Sequence, residues 1–431
     1  MSTTEIRPEE STKEFNGSQL DRPRQLNNSL PPNLTWPLSD VISLCVQNLL
    51  PTSPLFLQDA STSQMCCSWI ETLPALISND HGVDDFLAPG IKALGQSILA
   101  RSESGWAPVS SALEVQLSSM RAIKRALETS ITPLCNRLVA ATMCLLMSEI
   151  VLSKFPPNFS IHVKGMSDLI YHCGPKHYSI GSSQRLFVAL RPILVTNAIM
   201  NRQSTFLAMK EWDDVPFQDI RAKPFQVLIS EASHIPAILE KIDGLNYNNP
   251  TSANAMAKGL GLNLIHIMHR LNQWYSHLQE VIGYPLCWET VSVNGEALTW
   301  FADLIMATSL IHFWAFWIIC AIELRKLEKG FPFLKEAIMH TCAQYLVDSH
   351  SVTAIFQVGT SILQSMDFFS QDAMNFVGIA EFSFPFHIAI ISLSSLEGEY
   401  KTLSSQVIET ALERSVGARF KEIRFLYMRK Q

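Results

Sequence analysis

Three clusters in this 431-residue chain have the residue types for chemistry. His266-Ile-Met-His269, with His277 two turns further on, could share one broad helix face. Imidazoles so placed could hold zinc, but zinc needs a third or fourth ligand and an oriented outer shell. The His-Glu-x-x-His spacing of zinc peptidases is absent, so these are read as ordinary core or surface histidines. His172 and Cys173, with His177 nearby, could form a nucleophile if the thiolate were stabilised. Neighbours in sequence need not meet in space, and no dyad is assigned. Asp213-Asp214 could bind a cation, but is read as a solvated loop ahead of Pro216. Gly259-Leu-Gly261 lacks the third glycine and the preceding strand that a dinucleotide requires. Cys66-Cys67 is read as a packed pair, and Glu9, Glu10 and Glu14 as solvated tail residues. The sequence therefore nominates no catalytic residue, no metal ligand and no cofactor.

The composition explains why chemistry is hard to find. Apolar residues make up 47% of the chain and charged residues 17%, against a usual charged share of roughly 25%. Much of the chain must be interior. A net charge of -6 argues against a general nucleic-acid surface. Nine cysteines, an odd number without a Cys-x2-Cys pair, remove the zinc-ribbon geometry. Cys135, Cys144 and Cys320 sit where small buried hydrophobes would sit. Met1–Leu20 has no apolar core, so no secretory signal is read and a reduced protein of the nucleus or cytoplasm is expected. The sequons at Asn16, Asn27, Asn33 and Asn158 then carry no weight. Leu304–Ile322 is long and apolar enough to span a bilayer. His312 near its middle, with Asp303 and Glu323 at its ends, favours a helix buried in a bundle, and no membrane partner is expected.

The elements that must position these residues read as helices throughout. Met1 to about Asp40 is a polar tail expected to be disordered, and residues 41–431 form one all-helical region. Helices are expected at Asp40–Leu50 (Asp40 as cap), Ser68–Leu76, Gly90–Ala100, Ala112–Glu128, Thr132–Leu152, Val163–Tyr171 and Gln184–Met209. Further ones are expected at Phe225–Ile242 (broken or bent near Pro236), Ser252–Gly283, Ala297–Lys329, Phe333–Asp348, Ser351–Ser370, Pro385–Ser394 and Thr402–Phe425. Ala112–Glu128 is amphipathic, with Leu113, Leu117, Met120 and Ile123 on one face. It and Thr402–Phe425 are candidate contact surfaces, although packing explains them equally well. Val291-Ser-Val-Asn is too short to anchor a sheet. The expected fold is all-α: a large multi-helix array of antiparallel pairs. Trp300, Phe301, Phe313, Trp314, Phe316 and Trp317 could line an apolar ligand pocket, but are read as a core aromatic cluster.

The most specific stretch runs from His162 to Phe217. It contains His162 and Gly165, Gly174-Pro175, Leu186, Phe187 and Arg191, Arg202 with Thr205-Phe206-Leu207, and Trp212 with Pro216-Phe217. This pattern resembles the regulatory region of fungal zinc-cluster (Zn2Cys6) transcription factors, with weaker echoes at Leu73-Pro74 and Phe384-Pro385-Phe386. The resemblance implies an all-helical regulatory body, protein partners or a homodimer, and a role in fungal secondary metabolism. Family members usually begin with six zinc-binding cysteines and a basic helix that reads DNA. Here no cysteine precedes Cys45, so direct nucleic-acid binding is not expected. A regulator lacking that reader, responsive to proteins or a hydrophobic small molecule, is the first reading. The alternative is a metal-independent cyclase or isomerase that orients a hydrophobic natural-product intermediate. A deep cavity with converging polar groups around His312 would favour the enzyme; a filled core with an exposed apolar groove would favour the regulator.

Overall fold

Helix starts and stops follow the breakers in the chain. The computed structural model describes residues 36–52, 64, 68–78, 86–101, 108–129, 135–152, 159–246, 250–336 and 350–417. The tail through residue 35, Cys66-Cys67, the four sequons, most of Phe333–Asp348 and the end of Thr402–Phe425 lie outside them. Helix α1 (Leu38–Leu49) begins directly after Pro37, so Asp40 stands in its first turn and is not its cap. Val41, Ile42, Cys45 and Leu49 form its buried face, at the three-to-four spacing of an amphipathic helix. Then come α2 (Leu73–Ser78), α3 (Leu87–Arg101), α4 (Val109–Thr129), α5 (Cys135–Leu152) and α6 (Phe159–Cys173). Gly174 ends α6 at a φ of 77°, a conformation that penalises any Cβ, and Pro175 blocks continuation.

Helix α7 (Gly181–Asn201) contains Pro192. It is followed by α8 (Lys210–Asp214), α9 (Pro224–Ala232), α10 (Ile235–Asp243) and the long α11 (Pro250–Ile282). Of the break or bend expected near Pro236, the structure has the break, between α9 and α10. The next segment departs from expectation. Residues 297–301 are not the start of a helix; β1 (Cys287–Val291) and β2 (Ala297–Phe301) form an antiparallel hairpin, pairing Cys287 with Phe301 and Val291 with Ala297. Its turn is closed by the Ser292 N–H on the Glu296 carbonyl at 2.8 Å, with Gly295 at a φ of 82°. Helix α12 (Leu304–Gly330) starts only at Asp303, whose carboxylate accepts the Met306 N–H at 2.7 Å. Then follow α13 (Val352–Gln364), α14 (Met366–Phe369), α15 (Asn375–Ser394) and α16 (Glu399–Gly417). The fold is all-α, and the hairpin is the one sheet among the described residues.

Helix α12 is the central post. It packs against α9, α11, α13 and α15, and 83% of its most apolar window is buried. A second helical stretch, Asp372–Ser394, is also long and apolar enough to cross a membrane; 56% of its window is buried, and Glu381 and Pro385 lie buried within it. Asn375 ties this stretch to α1: its side-chain amide donates to the carbonyls of Gln47 at 2.9 Å and Leu50 at 2.6 Å. The tryptophan-rich region of α12 is core filling. Phe301 packs edge-on to Phe368, Phe313 stacks on Tyr275, and Phe316 tilts against Phe384.

Most residues of the His162–Phe217 stretch are structural. Leu186, Phe187, Leu207 and Trp212 are buried, and Phe187 and Phe206 both contact the Trp212 ring. Arg191 is fully buried on α7. Its guanidinium donates to the Asp213 carboxylate at 2.7 Å, to Ser230 Oγ at 2.9 Å, and to the Gln226 carbonyl and side chain at 3.2 Å. Burial pulls its pKa down to about 10, opposed by Asp213. This arginine joins α7, α8 and α9. Arg202 does the same at the end of α7, donating to Asp243 at 2.7 Å and to the buried Glu323 at 3.0 Å.

Candidate functional site

Three helices frame an open groove. Helices α4 and α6 both pack on α5, leaving a groove of about 490 Å³ between them. Helix α5 lies deep because Leu138, Ala140, Ala141, Cys144 and Leu145 are all buried. Its Leu145 and Thr142 form the floor. The Thr142 hydroxyl donates to the Leu138 carbonyl at 2.8 Å, so its polarity is already satisfied. Met120, Ile123 and Leu127 of α4 form one wall, and Ile161 and Leu169 of α6 form the other. Gly165 opens the α6 wall: a Cβ built there would meet nothing within 4 Å. Polar groups stand only around the edge. Lys124 is exposed beside Glu128, Asp168 pairs with Lys164, His172 is exposed, and the largely buried His162 lies 3.1 Å from Glu149.

Volume, apolar lining and a few polar groups match the usual small-molecule pocket of roughly 300–1,000 Å³. His162 and Gly165, three residues apart on α6, belong to the stretch singled out in the sequence. That the two flank an apolar trough was not legible there, because the trough depends on how far apart α4 and α6 sit on α5.

Helix α4 is turned outward. Ala112, Gln116, Ser119 and Ala126 are its buried residues, whereas Val109, Leu113 and Leu117 are each 48% exposed and Leu127 is 55% exposed. The inner face is small because α3 and α5 approach closely. A Cβ on Gly90 of α3 would lie 3.3 Å from the Ala141 carbonyl of α5. Polar links fill what remains: Ser97 and Ser148 hydroxyls lie 2.6 Å apart, and the Gln116 amide donates to Ser148 at 2.6 Å.

A smaller volume of about 80 Å³ surrounds His312. His312 Nδ1 lies 2.8 Å from the Thr308 carbonyl, and its ring contacts Phe225, Phe316 and Phe384. Burial pushes its pKa down to about 4. Glu381 lines the same space. This volume takes a few waters and no substrate of natural-product size.

The other nominated residues scatter. His266 and His277 are exposed on α11, and among the described residues no group of three or more His, Cys, Asp or Glu could hold a metal. Cys173 is disulfide-bonded, which leaves no thiolate there for His172 or His177. His177 instead lies 3.0 Å from the Asn136 side chain. Cys45, Cys144 and Cys320 are buried free thiols; burial pushes Cys45 up to about 12 and raises the other two. Asp213 does not stand in a solvated loop; it ends in a short helix as the partner of Arg191, while Asp214 faces outward. Gly259 and Gly261 lie inside α11. Compared with known proteins, the chain matches no family model, no curated protein and no solved structure.

Proposed function

We propose that this chain is a regulator of the zinc-cluster transcription-factor type, acting in fungal secondary metabolism through binding and without DNA contact by these residues. A hydrophobic small molecule seated between α4, α5 and α6 is its effector, and the nucleus or cytoplasm is its place of action. The observation that carries this reading is where the free volume lies. The apolar groove offers about 490 Å³, whereas the space around His312 offers about 80 Å³. That division favours a binding surface over an enclosed reaction chamber. The net charge of -6 further supports a role that does not depend on phosphate contacts.

The alternative, a cyclase or isomerase on the same body, draws support from one feature. His162 and Glu149 lie 3.1 Å apart beside the apolar trough and could move a proton on a ligand lying there. Against it, Lys124, Leu127, Ile161, Gly165 and His172 leave the trough open to water. Gene deletion with parallel measurement of transcripts and metabolites separates the two. Loss of biosynthetic transcripts supports regulation. Normal transcripts with an accumulated intermediate overturn it in favour of catalysis.

A further inference from the structure

We infer that the outward face of α4 is a self-association surface that receives α4 of a second copy, antiparallel. Leu113, Leu117, Met120, Lys124 and Leu127 recur at alternating spacings of four and three, the seam of a two-helix coiled coil. Of these, Leu113, Leu117 and Leu127 are about half exposed, and so is Val109 at the head of the helix. An isolated exposed leucine needs no explanation; a continuous row on a helix that buries alanine, serine and glutamine does.

The charges beside the row select the occupant. Glu114 and Arg121 are both exposed, stand one heptad apart on the same edge, and form no ion pair among the described residues. In a parallel copy Glu114 would face Val109 and Arg121 would face Gln116, so neither charge would meet an opposite one. An antiparallel copy brings Glu114 to Arg121 twice across a two-fold axis. The same register places Leu117 against Met120, Leu113 against the aliphatic stem of Lys124, and Val109 beside Leu127. All five exposed or half-exposed apolar groups then find apolar cover. The apolar row and the flanking charges fit one geometry, which an unrelated partner would match only by coincidence. The second copy's helix also runs along the edge of the groove, at Met120, Lys124 and Leu127. The inference does not require a small molecule in that groove. A single helix pair is small as interfaces go, so association is expected to be reversible, with a dissociation constant on the order of micromolar.

Sedimentation velocity on the full chain without added ligand, from about 1 to 200 µM, tests this, with circular dichroism as the folding check. The wild type is expected to pass from monomer to dimer. Leu117→Glu is expected to stay monomeric. Glu114→Arg and Arg121→Glu are each expected to weaken association about tenfold or more, and the double swap to restore it. A wild type that remains monomeric throughout, or a dimer that Leu117→Glu and the single swaps leave intact, overturns the inference. A monomer that instead floats with phosphatidylcholine–phosphatidylserine vesicles overturns it in favour of a lipid surface. Gly165→Leu, which fills the groove without touching the seam, is expected to dimerise normally. This separates failure of the dimer from failure of the effector reading.

Discussion

Acid should loosen this fold through His312, and the size of the effect follows from its surroundings. The ring is buried among Phe225, Phe316 and Phe384, and its folded-state pKa lies at about 4 against 6.5 for the free side chain. A depressed folded pKa means that the unfolded chain takes up its proton first as pH falls. The contribution to stability is complete above the unfolded value, declines through the window between 6.5 and about 4, and is gone below it. One proton sets the slope at up to about 1.4 kcal/mol per pH unit, so stability should drop by about 2 kcal/mol between roughly pH 7.5 and pH 5 from this residue alone. Other histidines titrate in the same range, so the informative quantity is a difference. Urea unfolding followed by tryptophan fluorescence, on wild type and His312→Phe, isolates it. Phenylalanine keeps the ring contacts and removes the titration, and the small space beside the ring can absorb its added volume. The variant should be less sensitive to acid by about 2 kcal/mol over that interval. Equal pH slopes for the two proteins would refute the reasoning.

Other perturbations test the packing. Gly165→Ala should stabilise the protein by about 0.5–1 kcal/mol, because the methyl group meets nothing and the helix gains propensity. Gly378→Ala, also inside a helix, should do the opposite by at least about 1–3 kcal/mol, since its Cβ would fall 2.1 Å from the Phe369 carbonyl oxygen; paired melting curves read both. Arg191→Met should lower stability by roughly 3–5 kcal/mol, as it leaves Asp213 and the Gln226 carbonyl without their buried donor. A double mutant with Asp213→Asn should cost distinctly less than the sum of the two single changes.

Much of the architecture was legible in the residues. Proline and glycine breakers marked the ends of α6 and the split between α9 and α10, and the apolar run of α12 was readable as interior from His312 and its flanking acids. The hairpin was missed because Ala297–Phe301 joins an apolar helix without an obvious turn dipeptide. The buried roles of Arg191 and Asp213 were missed because their partners on α9 are distant in sequence. Helix α4 shows a deeper limit. Periodicity located its oily face but not the direction in which that face points. The small surfaces of α3 and α5 admitted alanine and serine and left the leucines outside, a choice set by neighbours and not by the helix itself. For the same reason the groove was not readable, although His162 and Gly165 were already in view.

The claim that the α4–α5–α6 groove is a binding site can be tested by titrating the amphipathic anionic dye 1-anilinonaphthalene-8-sulfonate into wild type and Gly165→Leu while following fluorescence. A leucine side chain at 165 projects into the open volume and should leave the fold intact. The account predicts saturable binding to the wild type and a loss of about tenfold or more in affinity for the variant, about 1.4 kcal/mol, with the melting temperature retained. Superimposable titrations of the two proteins would contradict it.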